Sequence, residues 1–256
     1  MNGTLLSRRQ FLTAALAAAP TLVFANAVAL EQNNLRVNRI ALHGNSKSCR
    51  FVHISDLHHR GDVSFADRII RAVRNEQPEF VCFTGDLMDS VAWVDGALQF
   101  IRELGCPVYG IPGNHDHCVS SFTRFEGAFG ATGGGWLMNR SAAASNGFIE
   151  IIGIDRKEPA RVSSSRSPRR ILLTHYPQAV DRLAGRNITL VLAGHSHAGQ
   201  IRLPLVGPLY LPEGVGRYDH GLFQTPAGPL HVSAGLGTSI IPVRFNCRPE
   251  ITVFEI

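Results

Sequence analysis

Aspartates, histidines and one asparagine recur along this chain in five short clusters: Asp56-Leu57-His58, Gly85-Asp86, Gly113-Asn114-His115-Asp116, a single His175, and Gly194-His195-Ser196-His197. Carboxylate, carboxamide and imidazole donors delivered from separate points of a chain are what two divalent cations held side by side require. Asp56 and His58 stand two apart, so in extended chain they would share a face and grip one cation. Asp86 has two oxygens and can bridge, which would keep the cations about 3.5–4 Å apart, the spacing that clamps the attacking and leaving oxygens of a phosphoester. Asn114 offers a neutral carbonyl oxygen, and a loop after Gly194 can splay His195 and His197 toward different metals, with His175 completing the second set. Taken singly, each cluster reads as an ordinary turn or polar loop. The chemistry is carried by their joint occurrence.

The clusters need scaffolding, and each follows an apolar run: 51–54, 80–83, 108–111, 171–173 and 190–193. Runs apolar on both faces suit central strands of a sheet covered on two sides, and ligands in such folds bind beyond the strand ends. Helical spacing fills the gaps, with Phe65, Ile69, Ala72 and Val73 inside 65–75 and Val94, Leu98, Ile101 and Leu104 inside 91–104. Residues 136–138 and 148–154 read as strands of the second half, separated by a polar turn near 145–147, and the alternating 251–256 reads as an edge or closing strand.

Residue by residue, Asp56-x-His58, Gly85-Asp86-x-x-Asp89, Gly113-Asn114-His115-Asp116, His175 and Gly194-His195-x-His197 resemble the signature of the calcineurin-like metallophosphoesterase superfamily, over about residues 50–256. The stretches 199–204 (Gly-Gln-Ile-Arg-Leu-Pro) and 244–250 (Arg-Phe-Asn-Cys-Arg-Pro-Glu) resemble a narrower group, the small exported bacterial phosphodiesterases. The resemblance implies an α/β fold, a four-layer α/β/β/α sandwich with a dinuclear metal site at the strand C-terminal ends. It implies one metal on Asp56, His58, Asp86 and His197 and the other on Asp86, Asn114, His175 and His195, the metals being Mn, Zn or Fe(II). A metal-bridging hydroxide would be the nucleophile. His115 would be free of metal, touch phosphate and protonate the leaving oxygen, with Asp89 orienting its ring; an imidazole suits that role once a carboxylate fixes its tautomer. Asp89 as a helix cap is the plainer alternative.

Departures narrow the class. Ser90 stands where the protein serine/threonine phosphatases carry a phosphate-gripping arginine, and Asp89 stands where purple acid phosphatases place an iron-binding tyrosine. Protein phosphatase activity is therefore disfavoured and a colourless site expected, and phosphodiesterase activity is what the resemblance to the exported group implies. Two other readings remain: hydrolysis of a lipid-linked pyrophosphate of the diacylglucosamine type, and a catalytically silent metal-containing binding module, which the complete ligand set disfavours.

The amino terminus carries a second signal. Ser7-Arg8-Arg9-Gln10-Phe11-Leu12 precedes an alanine-rich apolar stretch, and no acidic residue occurs before Glu31. This resembles a twin-arginine export signal over residues 1–27, recognised by the twin-arginine translocation machinery, with Ala25-Asn26-Ala27 as the expected cleavage site, Ala27-Val28-Ala29 as a close second, and residues 28–256 as one domain. The expected location is the periplasm or cell envelope. Residues 11–30 are about long enough to span a bilayer as an uncleaved anchor, but Pro20 and the weakly apolar alanines disfavour a stable span.

Loss of Arg8 and Arg9 lowers the net charge from +5 to +3, so overall basicity identifies no partner. Arg156, Lys157, Arg161, Arg166, Arg169 and Arg170 form a local basic loop that could touch a membrane or cell-wall surface, a solvated loop being the plainer reading. No aromatic platform accompanies these arginines, so no nucleic acid is expected. Five cysteines without Cys-x-x-Cys spacing mark neither a zinc cluster nor a disulfide framework. His59, Arg60, His117 and Cys118 stand near the motifs and are candidates for lining the pocket, and loops 130–135 and 204–221 are candidates for selecting substrate.

Overall fold

The computed structural model describes residues 7–10, 13, 31–42, 48–155, 169–183, 185 and 188–256. The first half builds one sheet from β1 (Arg36–Ala41), β2 (Arg50–Ile54), β3 (Phe80–Phe83), β4 (Val108–Gly110) and β5 (Gly135–Trp136). The second half supplies β6 (Ser141–Ala144), β7 (Ile149–Ile154), β8 (Arg169–Thr174), β9 (Leu190–Ala193), a small hairpin of β10 (Arg202–Leu203) and β11 (Gly207–Pro208), then β12 (Gly221–Thr225), β13 (Gly228–Val232) and β14 (Glu250–Glu255). The two six-stranded sheets run β1-β14-β2-β3-β4-β5 and β12-β13-β9-β8-β7-β6. Strands β2 to β5 are mutually parallel, as are β7, β8, β9 and β13, so all the ligand-bearing strands end at the same side of their sheets.

The sheets face each other across a dry interior. Alternation decides which side chains go there: Phe51, Phe80, Cys82, Tyr109 and Phe254 from the first sheet meet Ile149, Ile151, Ile171, Leu173, Leu190 and Leu192 from the second. Phe51 stacks between Phe80 and Phe254 at ring-centroid distances of 5.0 and 5.2 Å. The other set, Val52, Ile54, Val81, Phe83 and Val108, faces outward beneath three helices. These are α1 (Val63–Asn75), α2 (Val94–Glu103) and α3 (Thr123–Ala131). Helix α1 starts where the Asp62 side chain accepts the Phe65 backbone N–H, an N-cap, and it buries Phe65, Ala66, Ile69, Ile70 and Val73 at helical spacing.

The expected layering is met with one difference. Among the described residues, the outer face of the second sheet is covered by the 3-10 segment Pro177–Arg182 and by Leu183, Ile188 and Tyr218 rather than by an α-helix. Two strand expectations and one loop expectation are corrected. β14 is an interior strand between β1 and β2, because the amino-terminal β1 takes the edge. Trp136 belongs to the first sheet, on β5 beside β4, where its ring packs with Phe122, Phe125 and Phe129. Arg169 and Arg170 are not loop residues: both are buried in β8, Arg170 paired with Glu150 at 3.0 Å and Arg169 over the Phe148 ring. The rest of the basic run, 156–168, and most of the amino-terminal signal lie outside the described residues. No helix among the described residues is long and apolar enough to cross a membrane. All five cysteines are free.

Because Phe51 is fully buried between two stacked rings at the centre of the inter-sheet core, Phe51→Ala is expected to cost about 3–5 kcal/mol of unfolding free energy. Urea denaturation checks this, and a loss below about 1 kcal/mol would show that the interior closes over the gap.

Candidate metal centre

Donors from both sheets meet above the strand ends. Asp56 and His58 follow β2, Asp86 follows β3, Asn114 follows β4, His175 follows β8, and His195 and His197 follow β9. Three groups have ligand atoms within 4.8 Å of one another: Asp56, His58 and His197; His58, Asp86 and His115; and Asp86, His175 and His195. Asp86 Oδ2 lies 3.5 Å from His58 Nε2 and 3.4 Å from His175 Nε2, so one carboxylate sits between the two histidine sets. His197 Nε2 is 3.6 Å from Asp56 Oδ1 and 3.1 Å from His58 Nε2. Asn114 Oδ1 and His195 Nδ1 each lie 3.1 Å from His175 Nε2. Every residue named from the sequence as a ligand is thus brought into one cluster.

The reason for the convergence differs from the extended-chain argument. Asp56, His58, Asp86, His195 and His197 all have left-handed backbone, with φ between 45° and 66°. Asp56 and His58 therefore do not share a strand face; each is aimed by a turn. Non-glycine residues in this region cost about 1–3 kcal/mol each and persist where the surroundings impose them, most often at functional sites. Here the surroundings are close-packed loops. A methyl added at Gly113 would strike the Asp86 carboxylate, and one at Gly194 would strike Ser55 and Asp56, so the glycines before the ligands are required by space. Asp116, which sequence reasoning left without a role, is fully buried and accepts the backbone N–H groups of Asp86, Leu87 and Gly113 at 2.8–2.9 Å. It ties the Asp86 loop to the Asn114 loop. Its place two residues after Asn114 was the available signal.

The donor set fits divalent cations. His58 Nδ1 lies 2.7 Å from Asp89 Oδ1, His175 Nδ1 donates to the Thr84 carbonyl at 2.7 Å, and His195 Nε2 donates to the Glu213 carbonyl at 2.9 Å. With the outer nitrogen holding a proton, each inner nitrogen presents a lone pair to the cluster, the arrangement by which metal-ligating histidines are oriented. His197 is buried with Nδ1 unpartnered among the described residues, and burial together with His58 and Arg244 holds it well below its ordinary pKa, hence neutral and able to ligate.

Burial alone would lower His175, but Asp86 and Asp56 raise it to about 9; burial opposes and Asp89, Asp86 and Asp56 raise His58. Burial would raise Asp86, yet His175, His58 and His115 hold it well below the carboxylate range. Burial raises Asp56 against the pull of His175 and His58.

Asp89 is placed differently from its expected role. Its Oδ1 is 3.8 Å from His115 Nδ1, beyond hydrogen-bond reach, and its carboxylate is spent on His58 and on the Arg60 guanidinium. It caps no helix. Burial opposes, but His58 and Arg60 hold Asp89 down at about 2. Arg60 also reaches the Thr238 carbonyl at 2.9 Å. Of the other pocket candidates, His59 is buried against Trp93 and Gly96, His117 pairs with Asp155 at 3.2 Å, and Cys118 is exposed. Loop 130–135 does not line the pocket.

A pocket of about 460 Å³ opens over the cluster, with Asp86, Asn114, His115, His195 and His197 at its floor. His115 is about one-third exposed there, outside the buried core of the cluster. Leu209, Tyr210 and Pro212 come from the 204–221 loop, while Ser239, Ile240 and Ile241 come from a loop that sequence reasoning missed.

A cluster of this composition over paired sheets defines a metallophosphoesterase. The calcineurin-like phosphoesterase family profile matches residues 49–199, and the chain belongs to that family. It is 31% identical to the uncharacterized metallophosphoesterase YkuE of Bacillus subtilis over 81% of this chain and 78% of that one. It is 28% identical to the phosphodiesterase YaeI of Escherichia coli over 83% of each. The solved structure of TT1561 of Thermus thermophilus shares the fold, with a TM-score of 0.50 and 12% identity over 74% of this chain and 91% of that one.

A cation and a proton compete for the same lone pair on His175, whose pKa stands at about 9. Metal uptake at pH 7 is therefore expected to release protons, and apparent affinity to rise with pH until about 9. Calorimetric titration in buffers of different ionisation enthalpy measures this; heats independent of buffer would contradict it.

Proposed function

We propose that this chain is a metal-dependent phosphodiesterase that holds two divalent cations and acts outside the cytoplasmic membrane. The observation that carries the enzymatic reading is the placement of Asp86 between two histidine sets, with His115 beside them at the pocket floor. Asp56, His58, Asp86 and His197 would hold one cation, and Asp86, Asn114, His175 and His195 the other. When bound, divalent cations of the Mn, Zn or Fe(II) kind supply Lewis acidity at phosphoryl oxygens and lower the pKa of water toward about 7.

The side chains do the rest. Asp89 and the Thr84 and Glu213 carbonyls keep three imidazoles in the tautomers that present lone pairs inward. Asn114 adds a donor without adding charge, which leaves the site cationic enough to attract a phosphodiester. His115 faces the pocket and would hold the proton that passes to the departing ester oxygen, a general acid outside the ligand set. Asp89, bound to His58 and Arg60, orients the His58 imidazole and makes no direct bond to the His115 ring.

Support for diester over monoester comes from the phosphodiesterase YaeI, similar over most of both chains. Residues 1–27 support export by the twin-arginine machinery, with residues 28–256 as the exported domain.

With chromogenic phosphodiester and phosphomonoester substrates, the metal-restored protein is expected to turn over the diester faster. Asp86→Asn is expected to lose at least about a hundredfold in kcat with reduced metal content, and His115→Ala a similar factor with metal content unchanged. Full metal occupancy without turnover would make the chain a binding module. For export, Arg8→Lys with Arg9→Lys is expected to leave the precursor in the cytoplasm on cell fractionation; an exported double variant would refute that assignment.

A further inference from the structure

The pocket has two unlike halves. Its floor carries the ionisable groups of the metal cluster, while its wall is Ile201, Leu209, Tyr210, Pro212, Ile240 and Ile241, without a charged side chain. The amide set in that wall is already engaged: Gln200 Nε2 donates to the carbonyls of Ile241 and Val243 at 3.1 and 3.2 Å, and its Oε1 accepts from Ser239 N–H. Apart from the Tyr210 and Ser239 hydroxyls, a substrate group lying there meets hydrocarbon.

The wall runs on into an exposed apolar rim. Leu205 is 108% exposed and Val206 71% at the tip of the β10–β11 hairpin, Ile240 is 82% exposed, and Leu209 and Tyr210 are exposed beside them. Leu205 and Ile240 both occupy left-handed backbone, at φ of 66° and 60°. Glycine or asparagine is the usual occupant of such a position, and a β-branched isoleucine there is an outlier. Neither side chain is buried, so no packing within the fold compensates for the conformation.

These two segments are also braced against the metal loops. Arg202 N–H donates to the Phe245 carbonyl and Phe245 N–H to the Gln200 carbonyl, at 2.9 and 2.8 Å. Arg244, fully buried, donates to the carbonyls of Ala234, Gly237 and Cys247, and the Cys247 thiol donates to the His197 carbonyl at 3.2 Å. The two sequence stretches 199–204 and 244–250 thus tie the segments that carry the apolar wall to the histidine loop.

We infer that the substrate is an amphiphilic phosphoester taken from a lipid surface, its phosphate over the metal cluster and its alkyl chain along the wall formed by Ile201, Leu209, Tyr210, Ile240 and Ile241. The continuity of the wall with the reactive floor selects a chain covalently joined to the phosphate, and the rim at Leu205 and Val206 meets the surface that presents it. This inference rests on the hydrolase reading above.

The test is a series of alkyl 4-nitrophenyl phosphates, from methyl to hexyl, below their aggregation concentrations. In each, a water oxygen bonds to phosphorus, the bond to nitrophenolate breaks, and alkyl phosphate remains. A methylene fully removed from water is worth about fourfold; on an open wall about half of that free energy applies, so kcat/KM is expected to rise about twofold per methylene and about 30-fold from methyl to hexyl. Ile240→Ser and Leu209→Ser are each expected to lower that hexyl-to-methyl ratio severalfold. In flotation with phosphatidylcholine vesicles, Leu205→Ser with Val206→Ser in the full chain is expected to bind less than the parent while hydrolysing the methyl ester normally. A flat series with the methyl ester hydrolysed overturns the inference and leaves the hydrolase reading intact, whereas no hydrolysis of any member by metal-loaded protein defeats the hydrolase reading itself. A parent-like vesicle affinity of the double variant, or a concentration-dependent dimer that this variant dissociates, also overturns the inference, the latter by giving the rim to a second copy of the chain.

Discussion

The site exists only where two sheets meet. Asp56, His58, Asp86 and Asn114 hang from the first sheet, while His175, His195 and His197 hang from the second, so the distance between the two donor sets is set by the inter-sheet core. Packed interiors are nearly incompressible, and a shift of one sheet moves half of the ligands against the other half. The stack of Phe51, Phe80 and Phe254 against Ile171, Leu173, Leu190 and Leu192 therefore acts as the gauge of the cluster. Toward the carboxyl ends of the strands this interior becomes polar in a graded way. His53 lies 3.0 Å from His231 and 2.9 Å from Thr84, whose hydroxyl donates to Ser55 at 2.7 Å. Burial holds both rings below their ordinary pKa, His231 to about 4, so the network carries no charge of its own beneath the ligand loops.

Above that gauge the loops are strained in a common direction. Five residues of the cluster share left-handed backbone, and Gly113 and Gly194, which precede Asn114 and His195, are packed against the carboxylates of Asp86 and Asp56. Asp116 holds three N–H groups that would otherwise be orphaned by those turns. Its carboxylate is pushed up to about 7 by burial and by Asp86, which favours its neutral form and limits the negative charge it adds beneath the cluster. Repulsion among the buried carboxylates is relieved by positive charge at one place, protons or metal, which couples the local stability of these loops to occupancy.

Much of this was legible in the sequence, for a definable reason. Ligand types at strand ends are a local pattern, and so are the fully apolar strands and the amphipathic spacing of α1 and α2; each was read where it stands. What failed depended on tertiary context. The alternation of residues 251–256 fits an edge strand as well as an interior one, and only the presence of β1 decides between them. Arg169 and Arg170 look like part of a basic loop until Glu150 and the Phe148 ring take them into β8. Asp56 and His58 were expected to converge by strand periodicity and do so by turn geometry, which no spacing rule encodes. The role given to Asp89 needed a distance, and 3.8 Å to His115 against 2.7 Å to His58 assigns it to the ligand.

Specificity and catalysis are mechanically joined in this arrangement. His195 and His197 occupy one end of a loop whose other end carries Gln200 and, in the wall, Ile201. Gln200 itself lies in left-handed backbone so that its side-chain amide can hold the 239–243 segment. The Cys247 thiol on the His197 carbonyl and the carbonyl cage around Arg244 close the ring from the far side. An amphiphilic substrate pressing on Ile240 or Leu209 therefore bears on residues one or two hydrogen bonds from the metal ligands. Contact with Ile201, Leu209, Ile240 and Ile241 suits an alkyl chain, which needs no hydrogen bonds, and the Gln200 amide beside them is already spent on the 239–243 segment.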